Sequence, residues 1–541
     1  MAAYARAGCA MSTLKNEPHR ATAENNQGEN LRELPVTECV LSLVDYAHQS
    51  GRSFVAGITR DEQKAAGQFM TPPKIAKFMA QRLVRSVDHQ HVRLLEPSAG
   101  GGVLIAAAVE ALLEKPDLPA VIEALLYEQD QRLIPALEVL CLRISEVCAV
   151  AGVRFEYVIR GEDFLLSELA LRGEPVDGLL TIANPPFFKL NKTTDERAHR
   201  HGYAVYGQPN VYGLFMAATA RLTPANGRWC FIVPRSWMNG QYFRAVRHTM
   251  LRHLTLDSLH AFESRRDSFE EDAVLQETVI AWATGRAIRE NGFNVLLTRS
   301  QGMSDLDQSL VRAVPTERIV ADDEHATVTL PSEGTSPLDG WSATLATYGL
   351  KVSTGPVIAF RCQEFISAHG SYDTVPLLWM QHVGQQSINW PIFKKLEHVR
   401  ATAANAWTLV ANTPMVVMRR FSPKEDERRV TCAPYLGTLP GAVIGLENHL
   451  NYIHRPGGRM SHSEVRGLSA LLASSVVDRH LRAIAGSTQI NAGELRSLPL
   501  PSMNIIEAIG CRVSDFPTLE EIDAAVEAEL GLSAASRKVA A

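Results

Sequence analysis

From Pro35 to about residue 285, short apolar runs alternate with longer segments in which apolar residues recur at helical spacing. Apolar runs closed by turn-forming residues read as strands, and the amphipathic segments between them as crossover helices. The clearest strands are Val92–Leu95, Ala124–Tyr127, Gly178–Ile182, Trp229–Val233 and Thr278–Trp282; the clearest helices are Val103–Leu113 and Arg132–Val147. That alternation predicts a doubly wound α/β sheet of Rossmann-like type, in which ligands bind at the carboxyl ends of the strands. Beyond about residue 290 the texture changes to polar, turn-rich stretches such as Pro331–Gly340 and short irregular apolar runs, with no fixed repeat. Three parts are expected: a polar, disordered leader over 1–34, in which Met11 is an alternative start, a doubly wound domain over 35–290, and a mixed α+β domain over 291–541.

Composition narrows the class only slightly. A chain of 541 residues with 46% hydrophobic and 21% charged residues is globular and too long for one core. Its net charge of -5 gives no global pull on a polyanion, so any such partner must meet a local basic face. Basic residues do gather at Lys189, Lys192, Arg197, His199, Arg200 and His201, then at Arg244, Arg247, Arg252, Arg265 and Arg266. A solvated face is the plain alternative for them. Lys394–Lys395 and Arg419–Arg420 are further basic pairs. The eight cysteines form no C-x-x-C pair and no metal-ligand spacing, which points to reduced thiols and no metal. Cys141 and Cys148 read as core residues of one helix. No apolar run approaches the roughly 18 residues of a bilayer span, so no membrane is expected and a cytoplasmic location follows by elimination.

Four stretches carry chemistry. In Leu94–Ile105 a strand ends in Glu96–Pro97–Ser98–Ala99 and a glycine turn, Gly100 to Gly102, opens a helix. Such a turn lets backbone approach a ligand while the helix amino terminus offers free amides. It matches neither the P-loop nor G-x-G-x-x-G. Further on, Glu128 in Leu126–Asp130 ends the next strand, where a carboxylate can accept from both hydroxyls of a ribose; a helix cap is the other reading. Asp163 and Phe164 in Gly161–Leu165 then supply an acceptor for a ring amine and an apolar plate. Last, Ile182–Ala–Asn–Pro–Pro–Phe187 places Asn184, Pro185, Pro186 and Phe187 just after a strand. Two prolines stiffen this corner, so that the Asn184 amide oxygen and the Pro185 carbonyl become paired acceptors beside an aromatic ring, a pocket for a planar amine.

These motifs, in this order, resemble the amino-group DNA methyltransferases in which cofactor motifs precede Asn-Pro-Pro-Phe/Tyr. In particular they are similar to adenine-modifying members of restriction-modification systems with a carboxyl-terminal target-recognition domain. Gly67–Met79 matches the segment that in this family wraps the methionine end of the cofactor, which implies contact roles for Phe69, Thr71 and Pro72. By itself Thr-Pro-Pro also reads as a helix start with Thr71 as cap. Downstream, Asn210–Phe215, Gly227–Pro234 and Asp272–Thr278 resemble the family's later catalytic-domain motifs, and Gly486–Asn491 and Leu495–Pro501 its closing segment.

The resemblance implies S-adenosylmethionine as cofactor, held by Phe69, Thr71, Pro72, Glu96, Pro97, Ala99, Gly100, Gly102, Glu128, Asp163 and Phe164. It implies double-stranded DNA as partner, with an adenine extruded against Phe187 and methylated at N6 by in-line displacement. Lys189, Lys192, Arg265 and Arg266 become candidate DNA contacts, Phe269 either a second plate for the base or an apolar helix contact, and a separate restriction endonuclease a companion. A protein-glutamine or ribosome-directed methyltransferase, a cytosine-amine methyltransferase and a non-enzymatic specificity subunit are the alternatives.

Overall fold

The computed structural model describes residues 41–532 except 60, 64–66, 68, 86, 88–89, 263–277, 287–292, 322–323, 332–337, 339–340, 342, 394, 422–425, 485–489, 491 and 497. The expected leader over 1–34 lies outside the described residues. The chain divides into two compact units, Met1–Val328 and Thr329–Ala541.

The first unit is built on nine strands: β1 (His91–Glu96), β2 (Val121–Tyr127), β3 (Arg154–Arg160), β4 (Leu179–Ala183), β5 (Arg228–Pro234), β6 (Leu254–Phe262), β7 (Thr278–Gly285), β8 (Asn294–Ser300) and β9 (Arg312–Pro315). They form one sheet in the order β3-β2-β1-β4-β5-β7-β6-β8-β9. The strands β1 to β5 are parallel, and β7 inserts antiparallel between β5 and β6. Winding proceeds from β1 outward to β3, then restarts at β4 on the other side. The order therefore reverses between β1 and β4, which opens a crevice beyond their carboxyl ends.

Among the described residues its α-helices include α1 (Leu43–Ala56), α2 (Pro73–Val84), α3 (Val103–Leu113), α4 (Ile134–Val150), α5 (Glu168–Arg172), α6 (Glu196–Arg200), α7 (Val211–Leu222) and α8 (Arg244–His253). Helix α3 is apolar on every side because α1 and α2 cover it on the sheet, so Leu104, Ile105 and Val109 are all buried. Each such side chain contributes about 1.5–3 kcal/mol. The five strands and two helices read from the pattern are all present, with ends displaced by a few residues.

The boundary expected at 290 is not where the first unit ends. Strand β8 pairs in parallel with β6 and β9 pairs antiparallel with β8, so the sheet draws the chain to Val328. These pairings join residues distant in sequence, which no local pattern announces.

The second unit is mixed α+β, as expected. It holds an antiparallel four-stranded sheet (Lys351–Thr354, Leu450–His454, Met415–Arg419, Cys432–Tyr435) and a five-stranded sheet that includes Thr374–Leu378 and Val443–Leu446. Helices His462–Ala473 and Met503–Arg512 cross with Gly467 facing the Ile506 carbonyl and Gly510 facing that of Ser463, so close that neither position has room for a Cβ. No helix among the described residues is long and apolar enough to cross a membrane.

Candidate active site

The loops after β1 and β4, neighbours at the reversal of strand order, meet in an open cavity whose free space, its solvent mouth included, is about 800 Å³. Eleven residues named from the sequence line it: Phe69, Thr71, Glu96, Pro97, Ala99, Gly100, Glu128, Asp163, Phe164, Asn184 and Pro186. Five separate stretches of sequence thus converge on one space.

The loop after β1 shapes its floor. Gly100 and Gly102 take positive φ values, 53° and 78°, a region open to glycine without steric cost. Gly102 is the N-cap of α3 and has no side chain with which to cap it. Glu96, buried at the end of β1, does so instead by accepting the Ile105 N–H at 3.0 Å. Burial raises its carboxyl well above the usual range, and the nearby Glu128 adds to the shift. Gly102 itself is not on the cavity wall. A Cβ there would run into Leu140 and Leu137 of α4, so this glycine serves helix packing rather than ligand contact. Gly101 does reach the wall, and its other side lies against Ala47 and Gly51 of α1.

Glu128 ends β2 with both carboxylate oxygens already accepting main-chain amides, Gly100 N–H at 2.7 Å and Asp130 N–H at 2.8 Å. It therefore ties the β1 loop to the β2 loop, and burial raises its pKa. Each oxygen keeps a further lone pair for a ligand hydroxyl. Asp163 caps the turn behind it by accepting Leu165 N–H at 2.9 Å, and its second oxygen lies 3.4 Å from Arg197. Phe164 is buried, edge-on to Tyr127 and stacked on Phe215, and all three rings reach the cavity.

Asn184 follows β4. Its Nδ2 donates to the Phe69 carbonyl and to Thr71 Oγ1, both at 3.0 Å. A carbonyl can only accept, so this pair of bonds decides which way round the amide lies. Its Oδ1 is buried and has no hydrogen-bond partner. Buried acceptors are ordinarily satisfied, and leaving one empty costs about 1–3 kcal/mol. The strap that fixes the amide also presses on the corner: Gly67, at φ 63°, would place a Cβ 2.9 Å from Pro186 Cβ and 3.0 Å from Phe187 N.

Thr71 is not the helix cap that Thr-Pro-Pro suggests. Helix α2 begins at Pro73 with Pro72 as N-cap and no side-chain cap bond, since the proline ring carries no acceptor for the amides of the first turn. That leaves the Thr71 hydroxyl to hold Asn184. Pro72, Pro185 and Phe187 stand behind the cavity wall; the Phe187 ring lies edge-on to Tyr212 with centroids 5.8 Å apart.

Of the basic candidates, Lys189 and Lys192 are exposed and outside the cavity, while Arg197, placed in the basic cluster from the sequence, lines it. Arg265, Arg266 and Phe269, with most of Asp272–Thr278 and Gly486–Asn491, lie outside the described residues. Arg419 and Arg420 donate to the carbonyls of Val383 and Asn448, so both are engaged in main-chain support. Met70, Ser98 and Val211 also line the cavity; each lies inside a stretch singled out from the sequence, but none was given a role of its own there. Cys141 and Cys148 are buried, and burial pushes their thiols up to about 12 and about 11.

Comparison with known proteins bears on this geometry. Residues 180–269, which include the Asn184 corner, match the family model of the Eco57I restriction-modification methylases. The chain is 31% identical over 461 residues to the type II methyltransferase M.BsuBI of Bacillus subtilis, covering 82% of this chain and 89% of that relative. It is 29% identical over 512 residues to the type II methyltransferase M.PstI of Providencia stuartii, covering 91% and 97%. A solved DrdV–DNA complex aligns with a TM-score of 0.47 at 13% identity, over 87% of this chain and 60% of that one. On the length and identity of the M.BsuBI match, this chain belongs to the type II methyltransferases of restriction-modification systems, DNA methyltransferases that use S-adenosylmethionine.

Proposed function

We propose that the protein methylates the N6 amine of an adenine extruded from duplex DNA, with Asn184 as the residue that receives the amine. The carrying observation is the buried, partnerless Oδ1 of Asn184 at the wall of a ligand-sized cavity. An acceptor held empty by two bonds on the other side of the same amide suits a donor that arrives with the substrate.

The cavity fits the cofactor by its chemistry. Amides at the α3 terminus suit a carboxylate, Glu128 can accept ribose hydroxyls, and Asp163 with Phe164 suits the edge and face of an adenine ring. S-adenosylmethionine supplies an electrophilic methyl group on a sulfonium sulfur. Asn184 Oδ1 and the Pro185 carbonyl accept the two amine hydrogens, which draws the nitrogen lone pair out of ring conjugation and stabilises positive charge as the N–C bond forms and the S–C bond breaks. The surplus proton then leaves the amine for solvent. Phe187 stacks on the extruded base, because chemistry on a base requires it out of the helix. Most of the rate gain then comes from alignment.

In this reading the second unit selects the target sequence, Lys189, Lys192, Arg265 and Arg266 meet phosphates, and a separate endonuclease shares the cytoplasm with the enzyme. The family favours DNA over the protein-glutamine and ribosomal alternatives. Asn184→Ala is expected to bind the cofactor normally while losing about 10²–10³ in turnover, the range for removing one transition-state hydrogen-bond partner. Base-resolved sequencing of DNA from an expressing host tests the adenine assignment; methyl groups found on cytosine alone, or near-normal turnover of the variant, would refute the reading.

A further inference from the structure

A second concavity in the first unit, about 1070 Å³ in volume, takes no part in this chemistry. One wall is the outer face of α8, where Arg244, His248 and Arg252 recur every four residues; the inner face, with Val246 and Met250, is buried. The other wall carries Arg221 of α7 with Tyr203 and Tyr206. Among the described residues no carboxylate lines it.

Arg244 and Arg252 stand two turns apart on this face, and both line the concavity. Arg244 has one ion pair, at 3.6 Å, with a Glu324 side chain that is 68% exposed. His253, also on the wall, has its pKa drawn down by burial first, then by Arg221 and Arg252. Arg221 lies 4.7 Å from the centre of the Tyr203 ring and Arg244 lies 5.7 Å from that of Tyr206, so the guanidinium groups rest on aromatic faces. The row spans about 12 Å of helix, a length over which B-DNA presents several phosphates.

The concavity is linked to the Asn184 corner. Phe187 packs on Tyr212, Tyr212 stacks on Phe243 at 5.0 Å, and Arg244 is the next residue. Lys189, two residues past Phe187, bridges to Asn210, four past Tyr206.

We propose that this groove holds the sugar-phosphate backbone of the DNA substrate away from the target base, with Arg244 and Arg252 as phosphate contacts at its two ends and His248 between them bonded to the Glu324 carbonyl. The proposal rests on the reading of DNA as substrate. Its test is the salt dependence of binding to a mixed-sequence duplex, measured on the full chain for wild type and for Arg244→Gln/Arg252→Gln. Each lost phosphate contact removes about 0.9 from the slope of log K against log salt, so a slope shallower by about two is expected. KM for DNA should rise while saturated turnover and cofactor binding stay unchanged. Arg244→Lys/Arg252→Lys should restore the slope, and Arg252→Gln alone, at an exposed position, gives a change of about one should the double variant fold poorly. A slope equal to that of wild type overturns the proposal and assigns the row to another partner, such as an acidic protein. Wild type that transfers no methyl group to DNA would instead refute the substrate reading, and the binding slopes would still judge the groove.

Discussion

Asn184 donates its side-chain nitrogen to Thr71 Oγ1 at 3.0 Å, across 113 positions of sequence, and so holds its own oxygen toward the cavity. The Phe69 carbonyl takes the other amide hydrogen. Thr71→Val removes one of the two bonds that orient the amide while keeping shape. A neutral hydrogen bond contributes roughly 1 kcal/mol, so turnover should fall about 5- to 10-fold at saturating cofactor and DNA. Thr71→Ser should recover most of it. Equal loss in both variants would mean that the hydroxyl does not orient Asn184.

Gly67 makes the same strap sensitive to a single carbon. Its φ of 63° costs an L residue about 1–2 kcal/mol, and the added Cβ would press on Pro186 and Phe187. Gly67→Ala should therefore lower turnover more than it lowers the melting temperature, because the displaced atoms belong to the corner and not to the core. A variant with full methylation activity would show that the corner tolerates displacement.

How far these relations were legible depends on their range in sequence. Glu96, Glu128 and Asn184 stood out because each follows an apolar run read as a strand, and strand ends at a reversal of winding converge. Strand β3 was missed because it is an edge strand of mixed polarity, Arg154–Arg160, with no fully buried residue to mark it. Gly102 and Thr71 were read from neighbours alone; the partners that settle their roles, Leu140 of α4 and Asn184, come from elsewhere in the chain. The groove beside α8 was visible only as scattered arginines, since its second wall is supplied by α7.

Glu96 gives a pH-dependent test of the floor. Its carboxyl is raised well above the usual 4.5 by burial, so the folded state favours the protonated form. The stability it contributes is full below 4.5 and is lost as pH rises through the folded value. Glu96→Gln keeps an acceptor for Ile105 N–H and does not titrate. The variant should gain melting temperature relative to wild type between pH 4.5 and neutrality, with the two curves parallel below that window. Curves parallel throughout would remove the assigned shift.

His260 supplies the opposite sign. It is fully buried in β6 between the rings of Phe78 and Phe262, with Nδ1 2.8 Å from Thr298 Oγ1 and Nε2 3.0 Å from Ser300 Oγ. The Ser300 hydroxyl donates to the Gly302 carbonyl, so it must accept from Nε2–H, and Nδ1 accepts from Thr298. A neutral imidazole satisfies this arrangement, and burial, reinforced by Arg82, pushes its pKa from 6.5 down to about 4. Unfolded chain takes up the proton first, so stability present above pH 6.5 is lost as pH falls through about 4. Some 2.5 pH units correspond to about 3 kcal/mol. His260→Gln, which cannot be protonated, should have an acid limb shallower by up to that amount in urea unfolding at pH 7 and pH 4. An equal acid loss in variant and wild type would place the titrating group elsewhere.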